Sequence, residues 1–181
     1  MMEDLSFHVL DLAENAIAAG ASRVTILVNE NVARDLLTIR VSDNGRGIPA
    51  DVRERVFDPF FTTKSKRTGL GLPLLAQAAR QSGGGVEVVT APGRGTRVTA
   101  RFRYGHIDRQ PLTGMAETIM MLALGNPEVD FRYRHRRNGR TFKFSSRRVL
   151  AGTGRRAPAR PALIRSVRKT LQNGLRRIGT T

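Results

Sequence analysis

Apolar and polar positions along this chain follow two periods, and these periods predict where its helices and strands lie. The first segment has apolar residues at helical spacing and ends at Gly20, so it predicts a helix over residues 3 to 19. Its apolar positions are Leu5, Val9, Leu12, Ala13 and Ala16. The next two segments, RVTILVNE and LLTIRVSD, are rich in β-branched and aliphatic residues and predict an antiparallel pair of strands. A polar turn near residues 31 to 34 joins them.

Periodicity is almost lost in the segment that follows, SDNGRGIPADVRERVFDPFFTTKSKRTGLGLPLL. Compact domains seldom contain so long an irregular connection unless it has a function, so we predict a lid-like loop here. The chain then returns to a helix over about residues 70 to 82 and to a hairpin formed by VEVVTAP and GTRVTARFRY. The predicted order is helix, two strands, lid, helix, two strands.

A second group of elements is predicted after residue 104. TGMAETIMMLALGN predicts a helix that Thr113 can cap. VDFRYRHRRNGRTFKF alternates apolar and basic residues around Asn138-Gly139, which predicts a hairpin whose apolar side packs on that helix. A linker rich in Gly, Pro and Arg leads to a basic amphipathic helix, ALIRSVRKTLQNGLRRI, which docks on the domain or on a partner. We therefore divide the chain into residues 1–104, 105–144 and 145–181.

The composition excludes several classes of protein. With 181 residues and 40% apolar content, the chain can build one ordinary core with an appendage. The absence of cysteine rules out disulfides and cysteine zinc sites, and three scattered histidines form no ligand cluster. The N-terminus is acidic, and the longest apolar stretch, IMMLAL, is too short to span a bilayer. We therefore expect a cytoplasmic protein without a membrane partner.

The positive charge is concentrated in the C-terminal part of the chain. The formal net charge is +16, and nearly all of it lies beyond residue 100. Arginine outnumbers lysine by 27 to 4. Such a surface favours acidic partners. A solvated basic surface is the ordinary explanation, and nucleic-acid binding through the basic tail is the alternative that we do not favour.

Three glycine-rich segments and one polar stripe together suggest a nucleotide site. DNGRGI follows a strand, TGLGL opens a helix and GRGT lies in a turn. Glycine lets the main chain approach a ligand closely, and N–H groups at the start of a helix favour an anion. At helical spacing, Asp4, His8, Asp11 and Asn15 form a polar stripe on the first helix. These features together predict a cradle for nucleotide phosphates.

Taken in order, these segments resemble the sequence boxes of the GHKL ATPase superfamily, which includes gyrase, the large heat-shock chaperones, histidine kinases and MutL. The resemblance covers residues 5–104 and rests on DLAENAIAAGASRVTI, DNGRGI, FDPFFTTK, TGLGLPLL and GRGT. FDPFFTTK followed by TGLGL is most similar to the histidine-kinase branch, and ENAIAAGASRVTI is also similar to MutL. The implied fold is the Bergerat fold, an α/β two-layer sandwich whose mixed, mainly antiparallel sheet has helices on one face.

The resemblance implies a site for the adenine of ATP. Asp43 is expected to accept a hydrogen bond from the adenine amino group, while Gly45 and Gly47 give the loop room to pass the base. Thr96 is expected to complete this end through its hydroxyl, and Ile48 to contribute a further nucleotide contact.

The resemblance also implies a site for the phosphates and Mg²⁺. Asn15 is expected to coordinate the magnesium that bridges the phosphates, a task suited to a neutral oxygen ligand. Lys64 is expected to neutralise phosphate charge from the lid. Main-chain N–H groups and lid residues complete this set, namely Gly69, Leu70, Gly71, Thr68 and Phe57. For Phe57, with Phe60 and Phe61, packing inside the lid is the ordinary alternative.

Asp11 and His8 depart from the pattern of the family or extend it. Four residues before the magnesium asparagine, hydrolytic members place a glutamate general base and histidine kinases usually place asparagine. Asp11 is neither, and its shorter side chain predicts slow hydrolysis at best. It can equally lie beside the magnesium ligands or pair with Lys64. His8 can contact or carry phosphate, although a histidine on the helix surface is the expected outcome. His106 and His135 receive no role.

The resemblance and its departures lead to one expected function and two alternatives. The first box begins within the first dozen residues, which leaves no room for a phosphoacceptor helix pair before it. We therefore expect a stand-alone, histidine-kinase-like phosphotransferase that acts on a partner protein in signalling, as in the anti-sigma-factor serine kinases. The alternatives are an ATP-gated adaptor and a slow ATPase of the mismatch-repair kind. A looser resemblance joins LSFHVLDLAENAI, HIDRQPLTGMAETI and GNPEVDFRYRHRRNGRTFKF to small ATP-binding proteins associated with iron hydrogenase.

Overall fold

A computed structural model describes residues 4–49, 54–58, 71–151 and 160–180 of the chain. The helices are α1 (Leu5–Ala18), α2 (Gly71–Gln81), α3 (Met115–Gly125), α4 (Ser146–Ala151) and α5 (Arg160–Arg177). The strands are β1 (Arg23–Asn31), β2 (Leu36–Asp43), β3 (Gly85–Thr90), β4 (Thr96–Arg103), β5 (Asp130–Arg137) and β6 (Arg140–Ser145). Short 3₁₀ turns cover Val32–Arg34 and Glu54–Phe57. None of the helices in these ranges is long and apolar enough to cross a membrane.

The six strands form one mixed sheet in the order β3-β4-β2-β1-β5-β6. All neighbouring strands are antiparallel except β1 and β5, which are parallel. The antiparallel pairing of β1 with β2 confirms the sequence prediction, with Ile26 opposite Val41. The helices pack against one face of this sheet, α1 on β1 and β2, α2 on β3 and β4, α3 on β5, and α5 on β6. This is the predicted Bergerat sandwich.

The first helix forms where its apolar spacing and the terminal Gly20 predict. Asp4 is the N-cap, and its side chain accepts a hydrogen bond from the Ser6 N–H at 2.8 Å. The helix ends before Gly20, whose φ of 75° lies in the left-handed region that glycine adopts without strain. Leu5 and Val9 are completely buried against the sheet. Burying each such side chain contributes on the order of 1.5–3 kcal/mol, so the amphipathic pattern fixes which side of α1 faces the core.

The segment after β4 contains the predicted helix and hairpin, and both belong to the same core as the first six elements. Asn138 and Gly139 have φ values of 46° and 87°, as a tight hairpin turn between β5 and β6 requires. The hairpin joins the sheet through β1, where Tyr133 lies opposite Ile26. The sheet is therefore continuous across residue 104, where we had placed a boundary.

The C-terminal helix α5 docks on the domain, which is one of the two outcomes that its sequence left open. Its apolar stripe is buried against α3 and β6. The buried positions are Val167, Leu171, Leu175 and, just after the helix, Ile178. Gly174 lies flat against the ring of Phe142, since a Cβ atom at this position would be 2.1 Å from a ring carbon. A glycine inside a helix therefore marks close packing here.

Candidate nucleotide-binding site

Asp43 lies at the end of β2 with one carboxylate oxygen anchored by the main chain. Its Oδ1 atom accepts hydrogen bonds from the Gly45 N–H at 2.8 Å and the Thr96 N–H at 3.3 Å. The side chain is half-buried, and this desolvation raises the pKa of the carboxyl above its ordinary value, although the two hydrogen bonds oppose the shift. An oriented, poorly hydrated carboxylate of this kind is suited to accept a hydrogen bond from a ligand.

The glycines around Asp43 let two main-chain segments touch each other, the loop after β2 and the turn between β3 and β4. A Cβ atom on Gly47 would lie 2.1 Å from the Ala91 carbonyl oxygen, and one on Gly95 would lie 2.0 Å from the Asp43 carbonyl oxygen. Both glycines also have positive φ, 71° and 75°. Any other residue would therefore push the DNGRGI and GRGT loops apart. These contacts join main chain to main chain, whereas the sequence predicted that Gly45 and Gly47 give the loop room to pass a base, and that role stays a prediction.

Hydrogen bonds hold the DNGRGI loop between the end of α1 and the hairpin β3–β4. The Arg46 N–H donates to the Ala19 carbonyl at 3.0 Å, and the Ile48 N–H donates to Thr90 Oγ1 at 2.9 Å. Thr90 Oγ1 also lies 3.0 Å from Thr96 Oγ1. Thr90 therefore links two predicted nucleotide contacts. We did not single it out, although its place opposite Thr96 in the predicted hairpin could have revealed it.

Two predicted phosphate-site residues, Asp11 and Gly71, lie close together where α1 passes the start of α2. Asp11 and Asn15 are exposed on α1, one helical turn apart. Gly71 begins α2 beside Asp11, since a Cβ atom on Gly71 would lie 3.4 Å from Asp11 Oδ2. The first N–H groups of a helix carry partial positive charge, so an anion is favoured at this point. Phe57 ends a short 3₁₀ turn and is partly exposed.

Four predicted contacts lie outside the described residues, namely Lys64, Thr68, Gly69 and Leu70. The same holds for Phe60 and Phe61 of the lid-like segment. Their roles stay predictions.

The expectation that His8 lies on the helix surface is wrong, because a later segment covers it. His8 is only 5% exposed, and its Nε2 atom lies 3.2 Å from Gln110 Oε1. The Leu5 N–H donates to the Pro111 carbonyl at 2.8 Å, and Asp4 accepts from the Thr113 N–H at 2.7 Å. These contacts hold the connection between β4 and α3 across the first turns of α1.

A second polar group is buried far from Asp43, and our interpretation of the sequence missed it. His135, which we assigned no role, is completely buried. Its Nε2 atom lies 2.7 Å from Glu30 Oε1, and its Nδ1 atom lies 2.6 Å from the Tyr133 hydroxyl. Thr180 donates to Glu30 Oε1 at 3.0 Å. The alternation in FRYRHRR could have placed His135 inward with Tyr133.

Charge and burial oppose each other at Glu30. Burial alone would raise the pKa of its carboxyl, but the hydrogen bond and positive charge of His135, the Thr180 hydroxyl and the charge of Arg137 together hold that pKa below its ordinary value. Burial and the negative charge of Glu30 raise the pKa of Tyr133 well above its usual range. This network ties β1, β5 and the end of the described chain together and lies at the opposite end of β1 from Asp43.

A groove of about 490 Å³ also lies at this distant end of the sheet. It is lined by Gly83, Gly84, Arg101, Arg103 and Asp35. Arg103 donates to Asp35 at 2.6 Å across it. None of the predicted nucleotide contacts that fall in the described ranges lines this groove.

Comparison with known proteins gives matches to one ATPase family. The family described as histidine kinase-, DNA gyrase B- and HSP90-like ATPase matches residues 3–106. The sensor histidine kinase ZraS of Salmonella typhi is 39% identical over 92 residues, 50% of this chain and 20% of the relative. The nitrogen regulation protein NtrY of Azorhizobium caulinodans is 39% identical over 95 residues, 49% of this chain and 12% of the relative. The chain therefore spans a fifth or less of these relatives.

Solved structures share the fold over nearly the whole chain. The N-terminal domain of a DNA repair protein superposes with a TM-score of 0.59 and 17% identity, covering 96% of this chain and 58% of that domain. The Aquifex aeolicus MutL ATPase domain complexed with ADP superposes with a TM-score of 0.55 and 22% identity, covering 93% of this chain and 70% of that domain. The likeness of fold therefore extends beyond the region matched by the kinases.

Proposed function

Because this chain belongs to the family of histidine kinase-, DNA gyrase B- and HSP90-like ATPases, we propose that it binds Mg-ATP and transfers the γ-phosphoryl group to a partner protein. The module is related in sequence to histidine kinases and shares its fold with a MutL ATPase domain. The observation that supports the proposal best is Asp43, a half-buried carboxylate oriented by two main-chain N–H groups between glycine loops.

In this proposal Asp43 recognises the adenine base. Its Oδ1 atom is taken up by the N–H groups of Gly45 and Thr96, so Oδ2 is the acceptor for the amino group of adenine. The glycine contacts leave no Cβ atoms between the loops, and the base would lie against main chain here. Thr96 and Ile48 are held beside the base through Thr90.

The phosphates would lie between α1 and the start of α2. The N–H groups at Gly71 favour an anion, and Asn15 offers a neutral oxygen of the kind that hard cations prefer. Within the described ranges, no group of three or more His, Asp or Glu side chains could hold a metal ion. The donor set suits a magnesium ion that takes its remaining ligands from phosphate and water. When bound, the ion would neutralise phosphate charge during phosphoryl transfer.

Asp11 favours transfer to a partner over rapid hydrolysis. Its carboxylate is exposed on α1 beside Gly71 and is one methylene shorter than the glutamate general base of the hydrolytic members. General-base catalysis requires hydrogen-bond distance to the attacking water, and a shorter side chain fails this more readily. We therefore assign Asp11 to positioning the phosphate end, with slow hydrolysis as a side reaction.

The likeness of fold to the N-terminal domain of a DNA repair protein and to a MutL ATPase domain favours a second candidate function. That likeness covers 96% and 93% of the chain, whereas the kinase relatives match half of it. The second candidate is an ATP-gated adaptor or slow ATPase, in which nucleotide binding changes affinity for a partner without phosphoryl transfer.

One experiment separates these functions. The purified chain is incubated with Mg²⁺ and γ-labelled ATP, alone and with extract of its source cells, and the label is followed. Label on a protein supports the kinase, with acid-labile attachment indicating phosphohistidine and acid-stable attachment indicating Ser or Thr. Label released as phosphate, or left on bound ATP, overturns the kinase in favour of the second candidate.

A matched pair of variants tests the site itself. Asp43→Ala should abolish measurable ATP binding by calorimetry, because the acceptor for adenine is lost. Asp108→Ala removes an exposed carboxylate elsewhere and should leave binding unchanged. Unchanged affinity in Asp43→Ala would refute the adenine assignment.

A further inference from the structure

The six-stranded sheet has one face that the described helices do not cover, called here the open face. Inward side chains such as Ile26, Val41 and Tyr133 lie opposite one another and are buried under the helices. The residues that alternate with them point to the other side of the sheet. The open face consists of these outward positions of β1 to β6, all of which lie in the described part of the chain.

Positive charge follows the outward positions of β5 and β6. Arg132, Arg134 and Arg136 are consecutive outward residues of β5, and all three are exposed. Lys143 of β6 is also exposed and lies directly opposite Arg134. The four cations form a continuous block at this side of the sheet.

The opposite side of the open face is basic as well. Arg97, Arg101 and Arg103 are exposed outward residues of β4. Arg23 of β1 and Arg40 of β2 lie between the two blocks. Among them stand the smaller polar outward residues Thr25, Asn29 and Thr38.

Few carboxylates balance this charge. Glu87 binds Arg101 at 3.3 Å, and Asp35 binds Arg103 at 2.6 Å. Asp130 is buried between Arg132 at 2.8 Å and Arg23 at 3.5 Å. For Arg97, Arg134, Arg136 and Lys143, no described carboxylate lies within ion-pair distance.

The arrangement of these cations is unfavourable for the isolated protein. Like charges directly opposite each other across two strands, as at Arg134 and Lys143, destabilise a sheet. A neutral residue is compatible with this side of β6, since threonine, which also prefers strands, occupies Thr141 next to Lys143. Uncompensated repulsion on an exposed surface is relieved when a polyanion binds to it.

We propose that the open face binds the phosphate backbone of a nucleic acid without reading its sequence. Alternate residues of a strand are about 6.7 Å apart, close to the rise of two nucleotides along one strand of a duplex, about 6.8 Å. The outward positions of the six strands carry no aromatic side chain, so stacking of bases is not the mode of binding. Contacts from arginine to phosphate position a nucleic acid without specifying its sequence.

The same features argue against a protein partner. Protein interfaces deplete charged residues at their centre and bury large apolar side chains there. The centre of the open face instead carries Arg40, with Leu27 as the aliphatic residue beside it. A charged centre of this kind suits the phosphate backbone of a nucleic acid, in which charges are regularly spaced.

The test compares two triple variants of the full chain that lose the same charge. Arg134→Ala/Arg136→Ala/Lys143→Ala removes cations from the open face, and Arg165→Ala/Arg168→Ala/Lys169→Ala removes exposed cations from α5. Binding to fluorescein-labelled single-stranded and duplex oligonucleotides is measured by anisotropy over a series of salt concentrations. Log K falls as log salt rises, and the open-face variant should make this slope shallower by about 2 to 3. The α5 variant should leave the slope unchanged.

Several outcomes would overturn the proposal. Equal slopes in the two triple variants would show that net charge, and not the open face, drives binding. Displacement of the oligonucleotide by polyglutamate or by phosphatidylserine vesicles at the same charge concentration would assign the surface to an acidic protein or a membrane. If the triple variant fails to fold, Lys143→Thr on the edge strand tests the same point, with an expected loss of slope of about 1.

The proposal is independent of ATP. Asp43→Ala should bind oligonucleotide as the parent does, so failure of the nucleotide site and failure of the open face give different results.

Discussion

At Asp43, burial and hydrogen bonding act in opposite directions on one carboxyl group. Burial raises the pKa of Asp43, and the Gly45 and Thr96 N–H groups reduce the shift without cancelling it. A folded-state pKa above the unfolded value means that folding takes up a proton. The stability from this group is therefore fully present below the unfolded pKa and is lost as pH rises through the folded pKa. At neutral pH the ionised side chain lowers stability, a cost that would be offset if Asp43 holds adenine as proposed.

Asp43→Asn separates these two effects. The variant keeps Oδ1 as the acceptor for the two main-chain N–H groups but has an NH₂ donor in place of the second carboxylate oxygen. We expect a higher thermal midpoint than the parent at neutral pH, with the difference vanishing in acid, where Asp43 is protonated. ATP affinity should fall by about 1–3 kcal/mol, roughly 5- to 150-fold, because two donors face each other. Scanning calorimetry and titration calorimetry measure the two quantities, with Asp108→Asn as the neutral control. Tighter ATP binding in the variant would be incompatible with the assigned contact.

The pKa of Glu30 is shifted in the opposite direction to that of Asp43. Its pKa is held below the ordinary value, because its bonds to His135 and Thr180 and the charge of Arg137 outweigh burial. Its stabilising contribution is therefore present above the unfolded pKa and is lost as pH falls through the folded pKa.

Glu30→Gln should cost about 1–3 kcal/mol of folding free energy at neutral pH and much less in acid, as measured by urea unfolding at a series of pH values. Glu87→Gln, an exposed carboxylate paired with Arg101, should change stability by less than about 0.5 kcal/mol. A cost at Glu30 that does not vary with pH would show that shape, not charge, matters there.

At the scale of elements, two features hold α5 against the domain. One is its apolar stripe, which the sequence predicts, and the other is the contact of Gly174 with Phe142, which the sequence does not predict. The apolar stripe predicts that one side of the helix is buried, and Val167 and Leu171 are buried. Gly174 within the same helix would ordinarily be a weak point, since glycine costs about 1 kcal/mol there relative to alanine. Its contact with the ring of Phe142 reverses that expectation.

Gly174→Ala should therefore destabilise the protein although alanine is the better helix former. The added methyl group would overlap the Phe142 ring, and overpacking of this kind costs about 1–3 kcal/mol. In a Phe142→Ala background the same change should be neutral or stabilising, so a double-mutant cycle by denaturant unfolding measures the coupling. Gly125→Ala, at the end of α3 where nothing lies within 4 Å of the added atom, is the matched control. Additive effects of Gly174→Ala and Phe142→Ala would contradict the close packing.

At the scale of the whole molecule, the parallel pairing of β1 with β5 joins the N-terminal and C-terminal segments into one sheet. Without β5, the strand β1 would become an edge with unpaired N–H and C=O groups beside buried Val24 and Ile26. The family match ends at residue 106, before this pairing is made. The sheet therefore continues beyond the region that the family model matches.

Truncation tests whether residues 1–104 fold alone. We expect the fragment to aggregate or to unfold at a lower denaturant concentration than the full chain, because an edge strand and the inner side of α1 lose their cover. Size-exclusion chromatography and urea unfolding of both proteins measure this. A monomeric fragment with the stability of the full chain would show that the C-terminal segment is an independent addition.

Local periodicity and the order of the sequence boxes were enough to predict most helices and strands and the ATPase family. Helical and alternating periods depend only on which residues must face a core, so α1, the two hairpins and α5 could be predicted from the chain alone. The glycine boxes likewise revealed the loops near Asp43, because close main-chain contact excludes every larger residue.

Contacts between segments that are distant in sequence became visible only in the folded structure. His8 is buried because the segment around Gln110 crosses α1, and no local pattern states which segment covers a helix. The Glu30–His135–Tyr133 network depends on the parallel register of two strands that are distant in sequence. The basic open face likewise exists because six strands align their outward positions in one sheet. Such long-range pairings depend on the packing of the whole chain, whereas the period of each element depends on its own residues.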